Sequence, residues 1–264
     1  MTQSVIQVDA FTNTPFAGNS AAICVMDGPA DEHWMQQTAI EMNLSETAYL
    51  YPEDDGYRLR WFTPGTEVEL CGHATVAAAH VLWQDGHVAE DQICRFHTRS
   101  GLLTAKLENT RIQVSFPLET VEPAEDSEEI ASALGATIIA WSKNRLGYLV
   151  AEVKSETALR AMQPDFSVLK SFPFHGYCVT CEADASDIDF VSRFFAPAMG
   201  VNEDPVTGSA HCVLGPYWAA KLGKTSFTAH QASTRGGDLQ VDIGEDSVTL
   251  GGQAVTTMRG ELLH

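Results

Sequence analysis

The chain has 264 residues, of which 44% are hydrophobic and 19% charged, a composition typical of a globular protein with ample length for a core. Its formal net charge of -19 repels nucleic acid and anionic membranes, so we expect neither as a partner. The same charge gives no long-range attraction to an anionic substrate, which must therefore be held by local groups.

The start of the chain and its cysteines favour a cytoplasmic location. The first residues lack a basic start and an apolar run, and no stretch approaches the ~20 apolar residues of a membrane span. Without an export signal, the six cysteines are predicted to be free thiols. Cys178 and Cys181 have a metal-like spacing, but they lie in a predicted strand and no second pair accompanies them, so no metal site is expected there.

The chain opens with two predicted strands, over 5–11 and 21–26, joined by a turn-rich segment. In that segment Gly18 and Asn19 either belong to an ordinary hairpin connection or bring backbone and amide donors near a ligand. A helix is then predicted from a cap at Asp31 to a stop at Asn43.

The next predicted strand carries a carboxylate on an apolar face. Alternate residues of a strand share a face, so Glu46 lies with Ala48 and Leu50. Burial of a carboxylate raises its pKa toward neutrality, which suits a proton-transferring acid/base. Alternatively, Glu46 lies in solvent at the strand end or pairs with an arginine such as Arg58 or Arg60.

The segment from Arg60 to Trp83 predicts a strand, a glycine-bearing turn and a helix that begins near Gly72. The body of this helix is made of small apolar residues with His80 as the single polar one, so we expect protein on all its sides. Unpaired backbone N–H groups and the helix dipole make its N-terminus, at His73 and Ala74, favourable for an anion.

Two side chains at this N-terminus have alternative interpretations. Cys71 is either a reactive thiol whose pKa the helix dipole lowers, or a small core residue. His73 is either a functional group at the mouth of the helix or a satisfied structural histidine. Beyond this helix, strands over 93–98, 102–107 and 111–116 are predicted to close the first half.

The second half follows an acidic, proline-bearing link over 117–126. Helices are predicted over 127–134 and 156–162. Strands are predicted over 137–141, 147–153, 176–182, 190–195, 225–231, 239–243, 247–250 and 254–262.

The segment from Arg193 to Trp218 repeats the pattern of the central motif. Each copy starts with an arginine and aromatics, has a proline four residues later, turns through a glycine and runs to a tryptophan. Two copies predict two related halves, each built round a buried helix. Asp204 is predicted to lie in the loop before the glycine turn at Gly208, where it can face a cleft. Pro216 should kink the second helix or be tolerated near its start, and Gly223 should end it.

No glycine-rich phosphate loop, dinucleotide fingerprint, lysine-bearing cofactor motif or metal cluster appears in the sequence, so side chains and backbone alone should carry any reaction. Four ordered motifs resemble the phenazine-biosynthesis PhzF-like family, whose fold is that of diaminopimelate epimerase. They are VDAFTNTPFAGNSAAIC, NLSETAYL, RWFTPGTEVELCGHATVAAAHVLW and NEDPVTGSAH. With GGQAVTTMRGEL near the C-terminus, the resemblance covers essentially the whole chain.

The resemblance implies an α+β fold of two pseudo-symmetric domains, each a barrel-like sheet around a central apolar helix, with the site between them. The expected N-terminal half is 1–117, to which a strand near 252–264 can return, and the expected C-terminal half is 118–251. No cofactor is implied, the expected partner is a small anionic metabolite, and a homodimer is one possible assembly.

The resemblance also implies the site residues. Glu46 of the SET motif would be the acid/base, with His73, Asp204 and Ser209 as the other catalytic residues. The implied substrate-binding residues are Asn19, Gly72, Ala74, Thr207 and Gly208, with Gly72 and Gly208 opening helix N-termini that hold a substrate carboxylate.

The sequence therefore predicts a cofactor-independent isomerase that moves a proton within a small carboxylate-bearing, unsaturated cyclic substrate. The best-known family reaction isomerises a dihydro-hydroxyanthranilate during phenazine formation, but nothing in the sequence shows that this is the substrate. The alternatives are a racemase or epimerase of the same fold and a non-catalytic small-molecule binding protein. Epimerases of this fold use two cysteines; Cys71 takes the first position here, but Thr207 takes the second, and a hydroxyl cannot replace a thiol as a base.

Overall fold

The computed structural model describes residues 2–263. The strands are β1 (Gln3–Ala10), β2 (Asn19–Val25), β3 (Glu46–Glu53), β4 (Gly56–Phe62), β5 (Glu67–Val68), β6 (Cys94–Thr98), β7 (Gly101–Glu108), β8 (Arg111–Pro117), β9 (Glu122–Pro123), β10 (Ile138–Lys143), β11 (Tyr148–Val153), β12 (Gly176–Glu182), β13 (Phe190–Ala196), β14 (Val201–Asp204), β15 (Ser226–Gln231), β16 (Gly237–Ile243), β17 (Ser247–Gly252) and β18 (Ala254–Leu262). The α-helices are α1 (Glu32–Met42), α2 (Gly72–Gln84), α3 (Glu128–Leu134), α4 (Glu156–Ala161), α5 (Phe166–Leu169) and α6 (Gly208–Leu222).

The chain divides into two compact units. The first comprises the residues up to Phe116 together with those from Gly251 onward, and the second is Pro117–Leu250. The last strand belongs to the first unit because β18 pairs antiparallel with β1, from Gln3 opposite Leu262 to Ala10 opposite Ala254. None of the helices among residues 2–263 combines the length and apolarity that crossing a membrane requires.

Helix α2 is the centre of the first unit. Its buried residues are His73, Ala74, Thr75, Val76, Ala77, Ala78, Ala79, Val81, Leu82 and Trp83. Strands β1, β2, β3 and β18 pack against it. The sheet runs β18–β1–β2–β3–β4, with β2 and β3 parallel and the other pairs antiparallel. A helix without a polar stripe can be stable only inside such a sheet, as the sequence predicted.

Helix α1 fixes the strand that carries Glu46. The Asp31 carboxylate accepts a hydrogen bond from the Trp34 N–H at 3.0 Å, and Asn43 ends the helix in the left-handed region at φ 50°. The Tyr49 hydroxyl of β3 donates to the Met35 carbonyl of α1 at 2.6 Å. Both ends of α1 therefore lie where their capping residues predicted.

Helix α6 has the corresponding place in the second unit. Its buried residues are Gly208, Ala210, His211, Cys212, Val213, Leu214, Gly215, Tyr217 and Trp218. The helix continues through Pro216 and ends at Gly223, whose N–H donates to the Ala219 carbonyl at 3.0 Å. The sheet around it contains β10 to β13, β15 and β16, in which β11–β12 and β13–β15 are parallel pairs. The mixed architecture, mostly sheet with buried helices, confirms the predicted fold class.

The two arginines that open the repeat have matching surroundings. The Arg60 Nε donates to Glu67 at 2.8 Å, and the Arg193 Nε donates to Glu203 at 2.8 Å. Each guanidinium also lies over the aromatic ring two residues further along its strand, at 5.2 Å and 4.9 Å from the ring centroids. Such contacts fix a short strand beside a longer one in each unit, β5 beside β4 and β14 beside β13.

The structure corrects three local predictions. Asp204 is not in a loop: it is the last residue of β14 and pairs with Phe194 of β13, because the Arg193–Glu203 contact holds this segment beside β13. The acidic link contains β9, which pairs with β10. Three further short elements were not predicted: β5, α5 and a 3₁₀ turn at Pro197–Met199.

Candidate active site

In the first unit, the start of β3 and the start of α2 bring a carboxylate and an imidazole together. Glu46 Oε2 lies 3.0 Å from His73 Nε2, and the two side chains are 16% and 6% exposed. Neither atom has a hydrogen-bond partner of good geometry among residues 2–263, so their contact is electrostatic rather than an aligned hydrogen bond. The contact places a buried acid/base pair at the N-terminus of a buried helix.

The arginines that were considered as partners of Glu46 bind other glutamates. Arg58 pairs with Glu53 at 2.9 Å. Arg60 contacts both Glu32 and Glu67 at 2.7 Å. The carboxylate of Glu46 therefore faces a titratable histidine rather than a permanently charged guanidinium.

Asn19 holds the other nitrogen of His73. It is the first residue of β2 rather than part of the preceding loop, and its Nδ2 lies 3.2 Å from His73 Nδ1. The Ser45 hydroxyl donates to Asn19 Oδ1 at 3.1 Å. An amide nitrogen donates, so Nδ1 accepts from Asn19 while the ring is neutral and its proton is on Nε2, toward Glu46. When the ring is protonated, Nδ1–H donates and the amide must present Oδ1 to it instead. Ser45, which the sequence did not single out, thus orients the amide that orients the imidazole.

Cys71 precedes α2 and is buried, with its Sγ 3.6 Å from His73 Nδ1. Burial, together with the nearby charge of Glu46, raises the pKa of the Cys71 thiol to about 11, although His73 lowers it. Of the two interpretations of Cys71, the structure therefore favours the small core residue over a reactive thiol, because loss of water is the largest influence on its pKa. Cys71 is a neutral thiol at neutral pH.

Burial and the neighbouring acidic groups shift the pKa of His73 in opposite directions. Burial alone would lower the pKa of the imidazole, but the neighbouring Cys71 and Glu46 outweigh it and hold the pKa well above the ordinary value. Because the Cys71 thiol is itself neutral near pH 7, the charge that favours the imidazolium at that pH is the one on Glu46. At neutral pH the ring is therefore cationic and pairs with Glu46. An imidazolium beside a carboxylate can position and stabilise that carboxylate for proton transfer.

In the second unit, the residues before α6 form a network of neutral and acidic groups. The Thr207 hydroxyl donates to Asp204 Oδ2 at 2.5 Å. Gln231, fully buried in β15, accepts from the Thr207 N–H at 2.9 Å and donates to the Asp204 carbonyl at 2.7 Å. The sequence prediction did not include Gln231, although the signal was present: it follows Phe227 and Ala229 with the period of the buried face of a strand.

Ser209, the second residue of α6, faces a tyrosine of β11. Its Oγ lies 3.0 Å from the Tyr148 hydroxyl. Burial raises the pKa of Tyr148 to about 12, although the hydrogen bond to Ser209 lowers it, so the phenol stays protonated at neutral pH. Nothing in the sequence distinguished Tyr148 from other strand residues.

The N-termini of α2 and α6 are alike in that the capping residue makes no side-chain hydrogen bond that caps the helix. Among the described residues, neither Cys71 nor Thr207 caps its helix through a side-chain hydrogen bond. The first backbone N–H groups of each helix, which begin at Gly72 and Gly208, therefore lack the usual side-chain acceptor. Such N-termini favour an anion. Ala74 is the third residue of α2 and is buried with it.

Each unit thus contains a cluster of the site residues that the sequence predicted. Glu46, His73 and Asn19 lie together in the first unit, and Asp204 and Thr207 lie together in the second.

The first group also contains three side chains that could ligate a metal ion: one donor atom from each of Glu46, Cys71 and His73 lies within 4.8 Å of the other two. The sequence showed no metal cluster because these residues come from two separate segments.

Comparison with known proteins identifies the family. The family model for phenazine biosynthesis-like protein matches residues 8–260. An uncharacterized isomerase of Halalkalibacterium halodurans is 50% identical over 266 residues, covering 100% of this chain and 99% of that protein. A crystal structure of a PhzF-family phenazine biosynthesis protein from Enterococcus faecalis superposes with a TM-score of 0.96 at 40% identity, covering 100% of both chains. A predicted epimerase from Pseudomonas aeruginosa, 24% identical and covering 99% of both chains, shares the fold with a TM-score of 0.73. The chain belongs to the PhzF-like family of phenazine biosynthesis-like proteins.

Proposed function

We propose that this protein is a cofactor-independent isomerase that moves a proton within a small, carboxylate-bearing, unsaturated cyclic substrate. The observation that carries this proposal is the buried contact between Glu46 and His73, 3.0 Å apart at the open N-terminus of α2. The relatives named as isomerases support the reaction class.

In the proposed reaction, the Glu46 carboxylate removes a proton from a ring carbon. The electron pair of that C–H bond forms a new double bond and the existing double bond shifts. Glu46, whose carboxyl proton can exchange with solvent in between, then protonates another carbon. His73, cationic beside Glu46, orients the carboxylate before the first transfer. One group acting on one face can complete both steps.

Substrate binding is assigned to the helix N-termini and their neighbours. We propose that the backbone N–H groups at Gly72 and Ala74 bind the substrate carboxylate, and that Asn19 maintains the orientation of His73. For the second unit, we propose that Asp204 and Ser209 bind heteroatoms of the substrate, with Gly208 and Thr207 supplying backbone donors. A local anion site of this kind would offset the negative charge of the protein as a whole.

A racemase or epimerase of the same fold is the alternative reaction. Such an enzyme needs an acid and a base on opposite faces of one carbon. Burial holds the pKa of Cys71 at about 11, and a threonine takes the place of the second cysteine, so the thiol pair of that mechanism is not available.

The test is incubation in deuterated water with a panel of unsaturated cyclic acids and amino acids, read by NMR. We expect a shifted double bond in one or more cyclic acids. Deuterium appearing at the α-carbon of a racemising amino acid would instead support the epimerase. Saturable binding without exchange or product would support a non-catalytic binding protein.

A further inference from the structure

The side chains of Glu46, Cys71 and His73 offer a carboxylate oxygen, a sulfur and an imidazole nitrogen within 4.8 Å of one another. In zinc sites, metal–ligand bonds of about 2.0–2.3 Å place neighbouring donor atoms a little over 3 Å apart. The Cys71 Sγ and His73 Nδ1 are already 3.6 Å apart, and Glu46 Oε2 and His73 Nε2 are 3.0 Å apart. These two contacts are to different nitrogens of the ring, so a single ion requires a rotation of the Cys71 or His73 side chain that gathers the sulfur, the carboxylate and one nitrogen round it.

A second observation points to a ligand at the same place. Within residues 2–263, Glu46 Oε2 and His73 Nε2 are buried and have no hydrogen-bond partner. His73 is more than nine-tenths buried, and its Nδ1 already contacts the Asn19 amide. Buried polar atoms nearly always have aligned hydrogen bonds, whereas these two atoms have an ion pair with each other that is not aligned, at a place where a bound cation could contact both.

We propose that Glu46, Cys71 and His73 form a binding site for a borderline or soft divalent cation such as Zn²⁺, and that this cation reversibly inhibits the enzyme. When the metal binds, the Cys71 S–H bond is replaced by a metal–sulfur bond and the His73 N–H bond by a metal–nitrogen bond, and both protons leave to solvent. A carboxylate and a thiolate neutralise the charge of a divalent ion in the interior. Sulfur and imidazole ligands favour Zn²⁺ or Cd²⁺ over Mg²⁺ and Ca²⁺.

Inhibition follows because the metal and the substrate proton would compete for the same Glu46 lone pair. This part of the inference rests on the proposed function, whereas metal binding itself does not. Asn19 can adapt to the bound state. If its amide rotates, Oδ1 accepts a hydrogen bond from the His73 Nδ1–H while Nε2 ligates the metal. Outer-shell partners of metal-bound histidines commonly accept such a hydrogen bond.

Direct binding is tested with Cd²⁺ on the full chain stripped of metals by a chelator. Formation of a Cd–thiolate bond produces a charge-transfer absorption in the ultraviolet, which exposed carboxylate and histidine groups cannot give. We expect one Cd²⁺ per chain with this absorption, displaced by Zn²⁺ and unaffected by excess Mg²⁺. Absence of the absorption in the wild-type protein would overturn the proposal.

The matched variants are Cys71→Ala and Cys94→Ala, which remove two buried cysteines of the same unit. The absorption should be lost in Cys71→Ala and kept in Cys94→Ala; an absorption that remains in Cys71→Ala would overturn the proposal. If Cys71→Ala does not fold, Glu46→Gln provides the second test and should weaken Cd²⁺ binding by more than the ~10-fold loss typical of an outer-shell partner. Unchanged affinity in Glu46→Gln would contradict the site.

Two further controls test whether metal binding and inhibition both come from this cluster. His97→Gln removes a ligand from an exposed group of Glu53, Asp54 and His97, and it should leave the thiolate signal unchanged. With a substrate from the deuterium panel, Zn²⁺ should abolish exchange in the wild type and a chelator should restore it, whereas Cys71→Ala should exchange at the same rate with and without Zn²⁺, whatever its own basal rate. Zn²⁺-sensitive exchange in Cys71→Ala would contradict inhibition through this site. If no substrate exchanges, the proposed function fails while the Cd²⁺ signal still decides the metal site.

Discussion

The N-termini of α2 and α6 share a backbone frame and differ in chemistry. In both helices the residue before the first glycine leaves its side chain out of the cap. In both, the side chain four residues after the capping residue returns to its carbonyl: the Thr75 hydroxyl donates to Cys71 O at 2.5 Å, and His211 Nδ1 lies 2.8 Å from Thr207 O. The frame therefore leaves the first N–H groups of each helix for another acceptor.

The difference lies in the side chains attached to this frame. At α2 a histidine and a glutamate form a titratable, charged pair. At α6 the corresponding groups are hydroxyls, a buried amide and a carboxylate that accepts a hydrogen bond from Thr207. The first arrangement pairs an acid with a base that can exchange a proton, whereas the second presents polar atoms suited to recognising a substrate.

Two buried histidines, one in each helix, show how burial and neighbouring charge contribute to this difference. Burial lowers the pKa of His211 to about 4, although the hydrogen bond to the Thr207 carbonyl raises it. Burial acts on His73 in the same direction, but the neighbouring acidic groups reverse its effect. The depth of the helix alone would therefore make both rings neutral, and the carboxylate of Glu46 is needed to make one of them cationic.

The largest effect should follow from Glu46→Gln, which keeps the shape of the side chain and removes its proton-carrying capacity. We expect proton exchange on the true substrate to fall by roughly 100-fold or more. The matched control is Glu53→Gln at the other end of β3, where the carboxylate pairs with Arg58 at the surface and should not affect the rate. Near-normal exchange in Glu46→Gln would show that Glu46 is not the proton carrier that distinguishes the N-terminus of α2 from that of α6.

Breaking the second network should affect stability first. Gln231→Leu keeps the volume in β15 but leaves the buried N–H of Thr207 and the carbonyl of Asp204 without their amide partner. We expect the free energy of unfolding to fall by about 2–4 kcal/mol, since each buried group left unsatisfied costs about 1–3 kcal/mol. Urea denaturation measures this loss. Gln240→Leu, on the exposed side of β16, should change stability by less than about 0.5 kcal/mol, and equal losses in both variants would contradict the role of Gln231.

Acid should destabilise the protein through His211. The unfolded chain binds a proton at this histidine below its ordinary pKa of 6.5, whereas the folded protein does so only near 4. Stability is therefore fully present above pH 6.5 and lost as the pH falls toward 4, by up to roughly 3 kcal/mol. Histidine NMR should show the His211 ring neutral down to about pH 4, and a midpoint near 6.5 would refute the assignment.

Much of the frame that carries these sites could be predicted because its signals are local. The apolar body of α2 excluded a surface position, and Asp31, Asn43 and Gly223 marked helix ends through capping preferences that act within a few residues. The four residues of α5 are too few to show a helical period. The helix ends could be predicted because residues close to them in the sequence specify them, whereas α5 has no such local signal.

The site was predictable only where a residue type was unusual for its place. Glu46 stood out on an apolar strand face and His73 at the mouth of an apolar helix. The extension of β14 to Asp204 depends on the contact between Arg193 and Glu203, which a local pattern does not show. The pKa of Cys71 could not be given the right sign, because burial and the helix dipole act in opposite directions and only the structure shows how deep the thiol lies.

The smallest predicted effect is a pH dependence of stability that comes from His73 and runs opposite to that of His211. The pKa of His73 is raised on folding, so its contribution is fully present below its unfolded pKa of 6.5 and is lost as the pH rises through the higher folded value. The difference in unfolding free energy between wild type and His73→Gln should therefore shrink as the pH is raised from 6 into the alkaline range. His80, one to two turns further along the same helix, supplies the control: burial lowers its pKa despite Asp85, so the corresponding difference for His80→Gln should not shrink over that range. A constant difference for His73→Gln would mean that Glu46 does not hold the imidazolium, and the contrast between the two helix N-termini would then be one of hydrogen bonding alone.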